Sequence, residues 1–167
     1  KLDVGQDQGR IYRLVREDRP INRRSPQLSK ADSSVLVSHL SHPTGWWRTT
    51  AQRLLVERRD STVIPLLREL ALRGEQPLGR LHALWTLDGI GNLDTEVKWL
   101  AMQDSDERVR AAAVRLCERG LSPEQQSLLV KKLDALIEDR SESVRLQATL
   151  TASALGRPEA LPMVLRL

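Results

Sequence analysis

At 167 residues, 40% apolar and 29% charged, the chain has enough material for one self-supporting core. No apolar run approaches the roughly 20 residues that span a bilayer, and a single cysteine, Cys117, excludes an intrachain disulfide or a cysteine-rich metal site. The net charge of +4 is confined to residues 1–30, with eight Lys/Arg against four Asp/Glu, while residues 31–167 carry 18 of each. A neutral repeat region argues against nucleic acid as a partner, because phosphate binding needs a basic face. The start at Lys1 rather than methionine reads as a processed or excised segment, whose lack of a signal peptide says nothing about export.

Residues 1–30 differ from the rest. Gly9-Arg10-Ile11-Tyr12-Arg13-Leu14-Val15 alternates apolar and basic side chains and predicts a short extended strand. A linker follows, with Pro20 and Pro26 and few apolar residues. A strand that ends in a linker suggests the last piece of an upstream β-domain. From Ser29 the pattern is helical. A first helix is expected over Asp32–Leu40, with Ser29 or Asp32 as its cap, and a second from Trp46 to Arg58 after the His42-Pro43-Thr44-Gly45 break. The second unit runs from about Asp60 to Leu72, with Pro65 tolerable only in a first turn, then from Pro77 to Asp88 before Gly89 and Gly91. The third takes Asp94–Met102 and a helix capped by Asp104-Ser105-Asp106 that ends near Arg119. The fourth takes Pro123–Glu138 and Glu142–Leu155, and residues 159–167 look like the start of a fifth. A solenoid should finish on a polar capping repeat, and Leu161, Val164, Leu165 and Leu167 predict that the natural protein continues.

The second helices share columns. Arg48, Arg80, Arg110 and Arg145 recur at steps of 32, 30 and 35 residues, each followed three places later by Ala51, Ala83, Ala113 or Ala148. Alanine at a fixed place permits close helix approach. Trp47, Gly79, Val109 and Val144 precede the arginines and are expected in the core, as are Leu55, Leu87, Cys117 and Ala152. Cys117 reads as a small buried hydrophobe. The arginines are too regular to be a site. Their stems are expected to pack between units and their heads to meet acids or helix-end carbonyls. Asp106 is the local candidate acid for Arg110 and Glu142 for Arg145, whereas the first two units lack an equivalent and no continuous ladder is expected there.

An outward stripe on the second helices carries Trp46, Thr50 and Arg53, then Leu78, His82 and Trp85, then Arg108, Ala112 and Arg115. Trp46, His82 and Trp85, flanked by Arg53 and Arg115, form the candidate interaction face, since Trp and Arg anchor interfaces. The alternative is that both tryptophans cover exposed core edges or an upstream domain. Nothing points to catalysis, cofactor or metal. His39 and His42 are separated by a helix end with no carboxylate to complete a ligand set. There is no nucleophile elbow, no phosphate loop around Gly89-Ile90-Gly91, and no C-x-x-C-H haem attachment.

Units of 30–35 residues built on V-R-x-x-A, clearest in Asp104-Ser105-Asp106-Glu107-Arg108-Val109-Arg110-Ala111-Ala112-Ala113-Val114, resemble HEAT repeats. The fold class expected is therefore all-α: an α-α superhelix of about four helical hairpins, in units of about 31–60, 61–93, 94–121 and 122–158, behind a short extended N-terminal segment. A narrower resemblance rests on Gly9 to Leu14, on Leu40-Ser41-His42-Pro43-Thr44-Gly45-Trp46-Trp47-Arg48 through Arg58, and on Leu81-His82-Ala83-Leu84-Trp85-Thr86-Leu87. These are similar to a large bacterial family, common in planctomycetes and their relatives, of membrane-bound dehydrogenase-like or haem-binding proteins. Its members join a sorbosone-dehydrogenase-like propeller, a HEAT section and often a cytochrome c domain. The resemblance implies that residues 1–16 close a propeller, that this chain is the middle section, and that the protein is exported to the periplasm or cell surface. Quinone or haem chemistry would belong to the flanks.

The leading expectation is thus a non-catalytic scaffold that orients neighbouring domains or contacts another protein, with no small-molecule substrate and no membrane insertion. The alternative is an independent protein- or peptide-binding solenoid. A third reading, groups lent to a neighbouring active site, would place His42, His82 or Arg48 at a domain seam.

Overall fold

A computed structural model describes residues 27–160, with Asp18 and Pro162. The expected strand at residues 9–15, the linker and the fifth unit beyond Ala160 lie outside the described residues, apart from those two positions. Within them the chain is all helix, arranged as four stacked helical hairpins of an α-α superhelix. The first hairpin joins α1 (Ser33–His39) to α2 (Gly45–Arg58), the second α3 (Ile64–Arg73) to α4 (Pro77–Ile90). The third joins α5 (Thr95–Ala101) to α6 (Glu107–Leu116) and the fourth α7 (Pro123–Leu136) to α8 (Glu142–Ala154). Short 3-10 turns lie at Leu28–Lys30, Ser61–Val63 and Pro158–Ala160. Among the described residues no helix is long and apolar enough to cross a membrane.

The boundaries follow local chemistry. The Asp60, Asp94 and Asp106 side chains accept backbone N–H groups at the starts of their segments, removing orphan donors of the first turn. Ser122 and Gln125 close a reciprocal capping box on α7. Pro77 and Pro123 stand in first turns, where no N–H is required. Gly91 takes a φ of 85° and ends α4 in the left-handed region. Arg58 clamps the first 3-10 turn by donating to the carbonyls of Ala31 (2.6 Å) and Ser29 (2.9 Å).

Hairpins stack because their second helices pack on one another, α2 on α4, α4 on α6 and α6 on α8, while each first helix leans on its own partner. Ala51, Ala83, Ala113 and Ala148 are fully buried along this seam, with Leu55, Leu87, Cys117 and Ala152 below them. Residue for residue, that is the core the repeat columns predict. Two departures are informative. Gly89 does not end α4 but lies inside it: a Cβ there would sit 2.7 Å from Val56 Cγ2, so glycine lets α2 and α4 approach. Trp47 is half-buried rather than in the core, stacked on the His42 ring at 4.9 Å. Helix α6 also stops a turn earlier than expected, at Leu116.

Candidate interaction surface

Each column arginine is the fourth residue of its helix. A long side chain there points back toward the helix N-terminus and over the preceding turn. Arg80 Nη1 accordingly donates to the carbonyls of Gly74 (2.7 Å) and Glu75 (3.2 Å), Arg110 Nη1 to those of Asp104 (2.8 Å) and Ser105 (3.1 Å). Arg48 Nη1 reaches His42 (2.6 Å) and Pro43 (2.8 Å), and Arg145 Nη1 reaches Asp139 (2.9 Å). The carbonyls lie five or six residues before each arginine, as the shared register requires.

The other edge of the guanidinium looks into the next unit. Arg80 Nε and Nη2 each donate at 2.7 Å to the Asp104 carboxylate, and Arg110 Nε and Nη2 donate at 3.0 and 2.8 Å to Asp139. Planar bidentate pairing of this kind tolerates burial, and both arginines are buried. Asp104 and Asp139 also each accept the N–H two residues on, from Asp106 and Ser141 (both 2.8 Å), which fixes the carboxylate at a helix start. One aspartate thereby serves two rungs, its side chain taking the previous arginine and its carbonyl the next. A continuous ladder results: Arg80, Asp104, Arg110, Asp139, Arg145. The hydrogen bonds from Arg110 and Ser141 hold the Asp139 carboxyl below its ordinary range against the cost of burial.

This corrects the local pairings. Asp106 does not meet Arg110. It caps α6 and pairs with Arg108 at 2.8 Å, because a residue at the helix cap faces the first turn rather than the fourth position. Glu142 stands 3.8 Å from Arg145 and is almost wholly exposed, a loose pair. The second unit does have its acid, supplied from the third. The first unit does not: the place six residues before Arg80 is Gly74 rather than aspartate, and Arg48 Nε is buried without a hydrogen-bond partner among the described residues.

The five residues of the expected face are set along the second helices but not gathered into one patch. Trp46 is 54% exposed, edge-on to Trp47 at 5.8 Å. Trp85 is 37% exposed and, among the described residues, makes no ring contact with Trp46. It instead lines a hollow of about 180 Å³ between α4 and α6 with Asp88, Arg115, Glu118 and Arg119. Arg115 is held there by Glu118 at 2.7 Å, and Arg53 pairs with Glu57 at 2.9 Å on the open surface. His82 is withdrawn into the seam, where its Nδ1–H donates to Gln52 Oε1 at 2.6 Å. Burial, with the Arg48 charge nearby, makes its imidazole harder to protonate. The aromatic patch of three therefore reduces to two separate tryptophans, each with a cationic neighbour further along the stripe.

Other ionisable groups are also engaged. His42 Nδ1 accepts from the Thr44 N–H at 3.0 Å, and its ring clusters with those of Trp47 and His39, which also touch each other at 5.0 Å. Lys98 is buried, its ammonium donating at 3.0 Å to the Arg119 carbonyl in the bend that follows α6. Sequence reasoning missed it, since nothing in a lone lysine on α5 marks a partner 21 residues away. Glu118 gathers Arg115, Gln147 (3.3 Å) and Thr151 (2.9 Å) and ties α6 to α8. The Cys117 thiol is buried, which pushes its ionisation up to about 11. No cluster of three metal-ligating side chains occurs among the described residues. Comparison with models of known protein families and with curated proteins finds nothing that matches this chain.

Proposed function

We propose that the chain is a non-catalytic HEAT-type scaffold that positions neighbouring domains of its own polypeptide, or another protein, along a rigid stack. The observation that carries this reading is the ladder from Arg80 to Arg145. It commits the most deeply placed charges of the second helices to holding successive hairpins in register. A stack fixed in this way serves to set distance and angle. The narrower family resemblance supplies a setting for the proposal: the middle section of an exported dehydrogenase-like redox protein, between a propeller and a cytochrome domain. Sequencing the gene on both sides of this segment and recording the visible spectrum of the purified product tests it. An upstream propeller and a haem Soret band sustain that setting, and a product with neither sinks it.

A second reading, an independent protein- or peptide-binding solenoid, draws support from the Trp85–Arg115 hollow, where an apolar face adjoins paired charges. A peptide library displayed against the chain and against Trp85→Ala separates the two. Ligands that bind only the parent chain favour this reading, and an empty selection counts against it.

A further inference from the structure

Between successive first helices runs a groove that recurs along the stack. The first, of about 360 Å³, has Val37 and Ser38 on the α1 side and Leu66, Glu69, Leu70 and Arg73 on α3. The second, of about 490 Å³, sets Leu72, Arg73 and Arg80 against Leu100, Gln103 and Asp104. The third, of about 170 Å³, has Trp99, Met102 and Gln103 at the end of α5 on one wall and Lys132, Ala135 and Leu136 of α7 on the other. Charge separates the third from its equivalents. Arg73 is paired with Glu69 at 3.2 Å and Arg80 with Asp104 at 2.7 Å. Lys132 is the one ionisable residue lining the third groove, and its ammonium stands 4.6 Å from the centre of the Trp99 ring. Among the described residues no carboxylate forms an ion pair with it. A ring face attracts a cation but offers its N–H donors no lone pair in the plane of an ordinary hydrogen bond. Lys132 is only half-buried, so an incoming acceptor can reach them.

We infer that the slot between α5 and α7 holds an acidic, apolar peptide segment of a partner protein. An apolar side chain enters between Trp99 and Leu136, and a neighbouring Asp or Glu carboxylate meets Lys132. An ammonium carries three donors, so Lys132 can keep the Trp99 face and still bond the acid. At about 170 Å³ the slot is smaller than the roughly 300 Å³ of a small-molecule pocket, which fits one side chain of a larger ligand. Met102 is buried and gives it an adaptable wall. A basic segment would meet Lys132 with like charge, and a bare phosphate would leave the apolar walls uncovered. The inference rests on the scaffold reading, in which the stack holds another protein, and names the chemistry of that contact.

The test titrates the full chain, labelled with nitrogen-15, with three capped tripeptides: acetyl-Glu-Leu-Glu-amide, its Gln-Leu-Gln analogue and its Glu-Ala-Glu analogue. The indole N–H signal of Trp99, identified by its loss in Trp99→Phe, reports on the slot. The Glu-Leu-Glu peptide should move it saturably and bind about fivefold more tightly than the Gln-Leu-Gln peptide, as for a partly exposed ion pair. The Glu-Ala-Glu peptide should bind about tenfold more weakly, because it has little apolar surface to bury. Lys132→Gln should abolish the preference for acid, while Lys132→Arg should keep it. The comparison of peptides on the parent chain stands whether or not a variant folds. Equal binding of the acid and amide peptides, equal binding of the leucine and alanine peptides, or a Trp99 signal that none of them moves overturns the proposal. So does a preference for acid that survives in a folded Lys132→Gln. A response of the Trp85 indole alone overturns it as well, while sustaining the hollow between α4 and α6. The gene and spectrum test of the scaffold setting does not involve this slot, so either idea can fail alone.

Discussion

Removing Arg110 should cost far more than removing Arg48, although the two occupy the same place in the repeat. Arg110→Ala deletes two bonds to carbonyls and two to Asp139, and strands a carboxylate that is only 11% exposed with the Ser141 N–H as its remaining partner. Breaking one side of a buried pair typically costs about 3–5 kcal/mol, because the charge left behind is desolvated. Arg48→Ala removes two carbonyl bonds and a guanidinium edge that has no partner, so about 1–2 kcal/mol is expected. Asp139→Ala should cost nearly as much as Arg110→Ala. The double variant should fall short of the sum by about 2–3 kcal/mol, because once either partner is gone the other is already stranded. Urea titrations followed at a helix band give these differences, and the m-value shows whether the four hairpins still unfold together. Equal losses for Arg48→Ala and Arg110→Ala, or a coupling energy near zero, would refute the ladder as the register device.

The same rung predicts a pH dependence. Asp139 has a folded-state pKa below its ordinary 3.8, so the unfolded chain binds the proton first. Its contribution is complete above about pH 4 and is lost as pH falls through the folded value. Asp139→Asn, though less stable at neutral pH, should lose less on going from pH 5 to pH 3 than the parent, and parallel curves would contradict the assignment. Gly89→Ala gains about 1 kcal/mol of helix propensity but overpacks against Val56 by about 1–3 kcal/mol. A net loss that Val56→Ala partly restores is expected in urea, and a more stable Gly89→Ala would show that α2 and α4 have room. Cys117, with its ionisation near 11, should resist a disulfide reagent at pH 8 until the chain unfolds. Rapid stoichiometric labelling of the native protein would show that the seam opens.

Features that depend on period and local propensity were largely readable along the chain, although Trp47, Gly89 and the end of α6 departed from them. The steps between Arg48, Arg80, Arg110 and Arg145 set the number of hairpins, aspartates and prolines set the helix starts, and the alanine column with Cys117 set the seam. These are legible because helix geometry ties a residue's face to its position within a few neighbours. The partners of the arginines were not legible in this way. Local register offers Asp106 to Arg110, yet the cap geometry turns Asp106 toward Arg108, and the real acceptor lies 29 residues away on another hairpin. Because the intervening first helix is 7 residues in α5 and 14 in α7, the same spatial step is 24 residues for Arg80 and 29 for Arg110, so no fixed spacing marks it. The candidate face was half legible for the same reason. Trp46, Trp85, Arg53 and Arg115 are exposed, but whether His82 joined them depended on Gln52 of the neighbouring unit. Stacking decides such contacts, because it brings together side chains that the chain itself keeps some thirty residues apart.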